Sequence, residues 1–518
     1  MANRLTQFVR ARTQHVNRRL LYSVVLISIS SMNYGFDNQA FSTTQAMTPF
    51  TRRFGEYNET TKAYYFPSYW LSLFDSLNYI TFGFGVLFGS FVSARFGRRW
   101  CMCGMSAYAL VTATLCVTAQ NKQQIMAARI LNYFYVGMEL SVVPVFQSEI
   151  VPASFRGFAV GSYQLSLTVG GVVINSVCYG TSLHYPNDDR AWRIPLGLFY
   201  VVPSIILAGI WFVPESPRWL LQQDRVDEAR RALVLFRENA NVTDADIDRE
   251  FAEIQFQLQR ESETGRFREL FQGINLRRTL IVAAVNFFQQ ATGQAFVSQY
   301  GAIYVKSLDT LNPSLFAVMN SALAAGVMVL MLLGSDRFGR RTILFLANGL
   351  MLCALLSMAG IGTQATLDRA SKTGVMALMT VFGVAFGMGW GPMTWVVTTE
   401  IAALRLRDQT VRVGFLVNIV FNFAVNFCIP YLVFSDYANL GSKVGFIFGA
   451  IVFLALLFIY FFLPECKGKS LEQIDHLFNA RVPMRQFGKI PAASVLQIEM
   501  DKSNKDAEIA LEHVPTAV

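Results

Sequence analysis

Charge is scarce in this sequence. Only 15% of its 518 residues are Asp, Glu, Lys or Arg, against roughly 25% in a soluble globular protein, while 53% are hydrophobic and 14% aromatic. That balance excludes an ordinary cytosolic enzyme. Histidine is scarcer still, with four residues (His15, His184, His476, His513) scattered through loops and tails. No HExxH, GxSxG or phosphate-loop lysine motif occurs, so no metal hydrolase, acyl-transfer centre or nucleotide cradle is indicated, and neither enzymatic activity nor a cofactor is expected. The seven cysteines (Cys101, Cys103, Cys116, Cys178, Cys353, Cys428, Cys466) lie mostly inside or beside apolar runs without a CxxC pair. That pattern excludes a disulfide framework and a zinc site. The net charge of +9 sits in short basic clusters between apolar runs, where orientation in a bilayer explains it and nucleic acid does not.

What is present is long hydrophobic runs. Windows of about 20 apolar residues, the length that crosses a bilayer as a helix, predict spans near 20–42, 75–94, 100–118, 123–147, 158–182 and 196–213, then near 278–304, 314–334, 342–362, 373–399, 410–434 and 443–463. The chain therefore reads as an all-α membrane protein of two six-helix bundles, 20–213 and 278–463, with a segment 1–19 before them and a tail 464–518 after them. Between the bundles, 214–277 alternates charged and apolar residues at helical spacing, as an amphipathic helical connector does. The first run begins too far into the chain and is too long for a signal peptide, so it is expected to remain as span 1. The pairs Gly85-x-x-x-Gly89 and Gly387-x-Gly389-x-Gly391 lie inside apolar runs, which favours close helix packing over a nucleotide loop.

Lys and Arg set the orientation. Arg4, Arg10, Arg12, Arg18 and Arg19 precede span 1, and Arg95, Arg98 and Arg99 follow span 2. Both segments belong in the cytoplasm, as does the loop with Arg337, Arg340 and Arg341, and twelve spans return the C-terminus there. The sequon Asn58-Glu59-Thr60 then faces outward as a glycosylation candidate, whereas the sequon at Asn241 is shielded. The halves repeat one another, as parallel-repeat transporters do. Ala94-Arg95-Phe96-Gly97-Arg98-Arg99 recurs as Asp336-Arg337-Phe338-Gly339-Arg340-Arg341; Glu149 with Arg156 recurs as Glu400 with Arg407; Pro214-Glu215-Ser216 recurs as Pro464-Glu465-Cys466. Arginines and carboxylates at cytoplasmic helix ends can pair across the bundles and latch that side shut.

Pro214-Glu215-Ser216-Pro217-Arg218-Trp219-Leu220, with Pro464-Glu465-Cys466-Lys467-Gly468, resembles the paired PESPRWL and PETKG motifs of the sugar porter family within the major facilitator superfamily. The resemblance extends to Glu149-x-x-Pro152-x-x-x-Arg156-Gly157, to Trp192-Arg193-Ile194-Pro195 and to Gly391-Pro392-x-x-Trp395, and so covers about residues 20 to 480. Gln289-Gln290-x-x-Gly293-x-x-Phe296-x-x-x-Tyr300 is similar to fungal members. The resemblance implies a major facilitator fold whose two bundles rock around one central site, without ATP.

Sugar hydroxyls both donate and accept, so their site needs amides and indoles on a wet cavity. Gln164, Gln289, Gln290, Asn418 and Asn422 are mid-span amides that are costly against lipid; each alone also fits interhelical packing glue. By resemblance, Gln164, Gln289, Gln290 and Asn418 fall on sugar-contacting positions, and Trp395 on the stacking tryptophan. Two positions depart from the family: Ala295 stands where it has asparagine, and Ile419 where it has tryptophan. Ala94 and Ser90 depart in the first arginine loop, where the family has an acid and a glycine. Asp37 in span 1 and Arg129 in span 4 are placed at similar depth by helix rise and are expected to face one another as a proton-coupling pair; a structural ion pair is the alternative. Glu139, ten residues past Arg129, is a further buried acid that the resemblance leaves without a role.

The expected function is import of a sugar or sugar-like solute with a proton, by a monomer in the plasma membrane with both termini cytoplasmic. The rivals are an exporter of a small polar metabolite on the same fold and a transport-inactive nutrient sensor.

Overall fold

A computed structural model of the chain describes residues 17–59, 62–238, 243–261, 265–334, 339–364, 366–434, 436–469 and 471–490. Helices follow the apolar runs. In the first half, span 1 is Arg18–Thr44, span 2 Ser68–Phe96 with an irregularity at Leu77, span 3 Arg98–Val117, span 4 Lys122–Ile150, span 5 Ala153–His184 and span 6 Arg190–Phe212. In the second half, span 7 is Gly273–Ala291 extended by Gln294–Ser298 and Gly301–Leu308, span 8 Pro313–Gly334, span 9 Arg340–Ile361, span 10 Arg369–Ile401, span 11 Arg407–Val433 and span 12 Val444–Phe462.

Several span starts differ from the sequence expectation, and three of them have a local cause. Span 2 starts at Ser68 instead of 75, because Pro67 sets an extended entry and Tyr69–Phe74 is apolar enough to continue the helix past Asp75. Span 6 starts at Arg190, whose turn is charged because it meets water: Arg190 pairs with Asp188 at 3.5 Å and Arg193 with Asp189 at 3.4 Å. Span 7 starts at Gly273, inside the expected connector, and breaks after Ala291, where Gly293 takes φ +88, a backbone that favours glycine.

Among the described residues, nine helices are long and apolar enough to cross a membrane by length and composition. Spans 1, 4 and 7 fall short of that standard because each carries buried polar side chains: Asn33 and Asp37, then Arg129, Asn132 and Glu139, then Asn286 and Gln289. Polar groups at membrane depth face protein or a wet cavity, so these three helices mark the interior of the bundle.

The halves pack alike. Span 1 packs on span 5, span 2 on span 4 and span 3 on spans 4 and 6; span 7 packs on span 11, span 8 on span 10 and span 9 on spans 10 and 12. The interface between halves keeps the symmetry, with span 5 against span 8 and span 11 against span 2. Spans 2 and 4 approach closely, through Gly85 and Gly137: a Cβ on either would run into the backbone carbonyl of Phe134 or Phe82 on the opposite helix.

The connector divides between the halves. Pro217–Gln222, Val226–Arg237 and Asp244–Glu261 form their own small core of Trp219, Leu220, Ala229, Ala232, Phe251 and Ile254. They join the first half, with Trp219 Nε1 donating to the Ala94 carbonyl (2.8 Å) and Arg237 Nη1 to that of Ile150 (3.1 Å). Phe267–Phe271 instead joins the second half, packing Leu270 on Ala403 and Leu406. Past span 12, helix Leu471–Asn479 is tied to span 7 by Asp475, 2.5 Å from Arg278. These parts mark the connector end of the bundle, and the hairpin Glu56–Asn58 with Ala63–Tyr65 marks the far end.

Hydrogen bonds between the halves gather toward the far end. Ser42 donates to the carbonyls of Ser298 (2.7 Å) and Gln299 (2.9 Å), Asn175 Nδ2 to Ser321 (2.7 Å), and Ser72 to the Phe427 carbonyl (2.6 Å). Asp436 Oδ2 accepts from both the backbone N–H (2.9 Å) and the hydroxyl (3.1 Å) of Ser68. None of those found among the described residues lies in the connector-end turns of the spans.

Candidate functional site

The second half gathers the expected amides into one network. Span 7 breaks just after Gln289 and Gln290, and span 11 presents Asn418 beside them. Asn418 Nδ2 donates to Gln289 Oε1 at 2.6 Å, Gln290 Nε2 donates to Asn418 Oδ1 at 3.1 Å, and Gln289 Nε2 reaches the Trp390 carbonyl at 3.3 Å. Behind this layer Asn286, one turn earlier in span 7, donates to Thr398 Oγ1 at 3.0 Å. Trp390 Nε1 donates to Asn348 Oδ1 at 3.0 Å. Gln289 and Asn418 are buried and Gln290 half-buried, so the network has a rigid rear and a front from which amide atoms can turn to a solute. Asn286, Asn348 and Thr398 were not singled out in the sequence, although a polar side chain one helical turn from Gln289 and Gln290 is a readable signal.

Three expected residues, Trp395, Gln164 and Asn422, stand outside this network. Trp395 lies against Phe415, ring centroids 4.8 Å apart. Gln164 in span 5 is half-buried and belongs to the other half. Asn422 shares a hydrogen bond with Asn426, whose Nδ2 donates to its Oδ1 at 2.6 Å. Ala295 is 2% exposed, next to the break in span 7.

Arg129 has an ion-pair partner that the sequence reading did not name, Asp75 in span 2. Arg129 Nη1 lies 2.7 Å from Asp75 Oδ1, with both side chains buried, and the guanidinium stands over the rings of Phe41, Phe74 and Tyr133. Asp37 is fully buried with neither oxygen hydrogen-bonded among the described residues; Arg129 and Asn132 are the groups that act on it. Asp75 wins because span 2 begins a full two turns earlier than expected, which carries Asp75 into the bundle beside span 4.

At the two arginine loops the ion pairs present in this conformation close within each half. Arg98 clasps Glu149 through Nε (2.9 Å) and Nη2 (2.8 Å), and Arg340 holds Glu400 through Nε (3.2 Å) and Nη2 (3.0 Å). These pairs hold the first turn of span 3 against the last turn of span 4, and the first turn of span 9 against the last turn of span 10. Glu215 and Glu465 complete the motif by capping those helix N-termini, where backbone N–H groups lack partners. Glu215 accepts from the N–H groups of Arg98 (3.0 Å) and Arg99 (3.1 Å), and Glu465 from those of Arg340 (3.0 Å) and Arg341 (3.1 Å). Burial pushes the Glu215 carboxyl up, opposed by the N–H groups of Ser216, Arg99 and Arg98.

Arg95 is exposed at the end of span 2, Arg218 opens the helix Pro217–Gln222, and Arg407 opens span 11 without an ion pair among the described residues. Asp336, Arg337, Asn241 and the side chain of Arg156 lie outside the described residues. Asn58 sits half-buried on the far-end hairpin. Among the described residues no cluster of His, Cys, Asp and Glu could hold a metal.

Solved structures share this architecture. The inward-open xylose transporter XylE from E. coli matches with a TM-score of 0.72 at 21% identity, over 88% of this chain and 99% of that one. XylE described as a proton:xylose symporter, bound to 6-bromo-6-deoxy-D-glucose, matches with a TM-score of 0.70 at 22% identity, over 89% and 99%. In sequence, the chain is 29% identical to the major facilitator-type transporter ecdD of Aspergillus rugulosus, over 94% of this chain and 92% of that protein. It is 27% identical to the high-affinity glucose transporter ght2 of Schizosaccharomyces pombe, over the same shares of 94% and 92%. The family model described as "Sugar (and other) transporter" matches residues 23–478, and its reach from span 1 into the helix after span 12 takes in all three motifs repeated between the halves. The chain belongs to that family, the sugar porters of the major facilitator superfamily.

Proposed function

We propose that this protein imports a sugar or sugar-like solute by alternating access, coupled to a proton. The observation that carries the reading is the amide network of Gln289, Gln290 and Asn418: uncharged groups that donate and accept, clustered at membrane depth where span 7 breaks. Sugar hydroxyls offer the complementary pattern. Gln164 from the first half and Trp395 in span 10 complete the site when the halves close around the solute. The relative ght2, a glucose transporter, and XylE, a proton:xylose symporter, support the substrate class and the coupling ion. Asp37, buried beside a guanidinium that already has a partner, is the proton carrier in this reading.

The far end, joined across the halves, is the outer face, so the conformation described is the inward-facing one. Each Arg–Glu clasp then acts as a rigid corner on which its half rotates, rather than as a bolt between halves. The connector end and both termini lie in the cytoplasm, Asn58 faces outward as a glycan acceptor, and one chain in the lipid bilayer of the plasma membrane is the working unit. Uptake of a labelled sugar panel into cells lacking their own sugar carriers, with and without a protonophore, tests the reading. Saturable uptake of one sugar that the protonophore lowers supports it; no uptake of any sugar refutes the substrate class.

A second reading, export of a small polar metabolite, is favoured by Ala295 and Ile419, which remove two polar contacts from the family's pattern beside the network. Efflux from preloaded vesicles that exceeds uptake at equal gradients would favour it.

A further inference from the structure

At the connector end, the start of span 7 shares a cavity with the end of the helix that follows span 12. The cavity, about 240 Å³, is lined by Gly273, Ile274 and Arg277 from the first turns of span 7 and by Phe478, Arg481 and Met484 across from them. At about 30 Å³ for each water, it has room for roughly eight waters, or for a phosphate group and part of its shell. Its apolar floor is fixed. Phe478 and Met484 are buried, Phe478 meets Phe487 with ring centroids 5.1 Å apart, and the Arg278 guanidinium lies over Phe478 at 4.5 Å while pairing with Asp475. Its charge has one sign. Arg277 and Arg481 are exposed, neither guanidinium has an ion-pair or hydrogen-bond partner among the described residues, and no acid among them lines the cavity.

The backbone on both sides suits the same space. The helix Leu471–Asn479 ends in a Schellman-type turn, the Val482 N–H donating to the Leu477 carbonyl at 3.2 Å. Arg481 holds its left-handed position, φ +54, where glycine is usual because a side chain is strained there. Opposite, span 7 starts at Gly273, φ +50, with no side chain capping the turn and no acid in it, so the positive end of the helix is uncompensated. A Cβ on Gly273 would meet nothing within 4 Å. The cavity also stands at headgroup depth. Leu280, on the same face of span 7 as Arg277 and about 4.5 Å further along the helix, is 59% exposed, as a residue against acyl chains is. Span 12, which packs on span 7, ends in the exposed Phe461 and Phe462, and Arg485, just past the cavity, lies over the rings of Tyr460 (4.7 Å) and Phe461 (4.8 Å).

We infer that this cavity holds the phosphate of an anionic phospholipid from the leaflet at the connector end. Arg277 and Arg481 take the phosphate oxygens in charge-assisted hydrogen bonds. The N–H groups of Gly273 and Ile274, which a helix start leaves without helix partners, face the same anion. The acyl chains run past Leu280 along the seam of spans 7 and 12. Basic pockets between membrane helices at this level bind such headgroups. A zwitterionic headgroup would bring an ammonium beside two guanidinium groups with no acid to receive it, so the charge selects an anionic one. The bound lipid ties the first turn of span 7 to the helix after span 12, whatever solute the protein moves.

The test is native mass spectrometry of the purified full chain in detergent, titrated separately with phosphatidic acid, phosphatidylcholine and inorganic phosphate. One phosphatidic acid should bind more tightly than any phosphatidylcholine, and inorganic phosphate should not displace it at equal concentration. Arg277→Gln and Arg481→Gln should each weaken that binding roughly ten- to a hundredfold, as loss of a hydrogen bond to a charged group does. Arg485→Gln, the same charge change just outside the cavity, should leave it nearly unaltered. Equal affinity for the two lipids overturns the site. So does an equal loss in Arg485→Gln, since a diffuse basic surface then accounts for the binding. Inorganic phosphate that binds as tightly as phosphatidic acid, and is lost in the same two variants, overturns the lipid assignment. Were Arg481→Gln to misfold, Arg481→Gly decides instead, because it removes the same side chain at a backbone that favours glycine.

Discussion

Arg129 and Asp75 form a buried ion pair, 2.7 Å apart with side chains 1% and 0% exposed. Gln45 donates to Asp75 Oδ1 at 3.1 Å, and Tyr300 of the second half acts on the same carboxylate. The pair thus lies where the halves meet toward the far end, and it leaves Asp37 outside the guanidinium's direct grasp.

The two acids should separate under mutation. Asp75→Asn breaks the existing pair and leaves a buried guanidinium, a loss of about 3–5 kcal/mol, so its thermal midpoint in detergent should fall well below that of Asp37→Asn. Asp37→Asn should keep the fold and exchange substrate between equal pools while losing uphill accumulation and substrate-driven proton entry. Equal destabilisation by both substitutions would mean that Asp37 is a structural partner of Arg129.

Gln289→Ala removes a donor and an acceptor from the amide network, a loss of about 1–3 kcal/mol. Affinity for the transported solute, measured by competition in vesicles, should fall roughly five- to a hundredfold. The double variant with Asn418→Ala should lose less than the sum, because the 2.6 Å bond between the two side chains is counted in each single substitution. Unchanged affinity in Gln289→Ala would place the solute elsewhere.

Within-half clasps predict a specific pattern of coupling. A double-mutant cycle on transport rate should give a large interaction for Arg98 with Glu149 and for Arg340 with Glu400, and a small one for Glu149 with Arg407. The reverse order would restore a latch across the halves.

Asp436 closes the far end by accepting from the first turn of span 2 in the other half. Asp436→Ala removes an N-terminal cap worth about 0.5–2 kcal/mol, which should raise the outward-open population roughly two- to thirtyfold. A cysteine placed by Ser72→Cys, on the seam with span 11, reports this as faster labelling by an impermeant reagent from outside. Unaltered labelling would show that this contact does not bias the two states.

The sequence by itself determined the twelve spans, their division into halves and the sites of the tight arginine loops, because hydrophobic length and charged helix ends are local properties that a bilayer reads directly. By resemblance it also grouped Gln164, Gln289, Gln290, Asn418 and Trp395, of which the structure joins Gln289, Gln290 and Asn418 by direct hydrogen bonds. The tertiary structure decided who pairs with whom. Asp75 stood at an expected span edge, where a charge reads as a boundary, and only the packing of span 2 on span 4 brought it to Arg129. Glu149 and Glu400 pair with arginines of their own half, Arg98 and Arg340, which stand in the first turns of spans 3 and 9. Partner choice between buried charges depends on a few ångströms of helix register and rotation, and no periodicity in the chain encodes those.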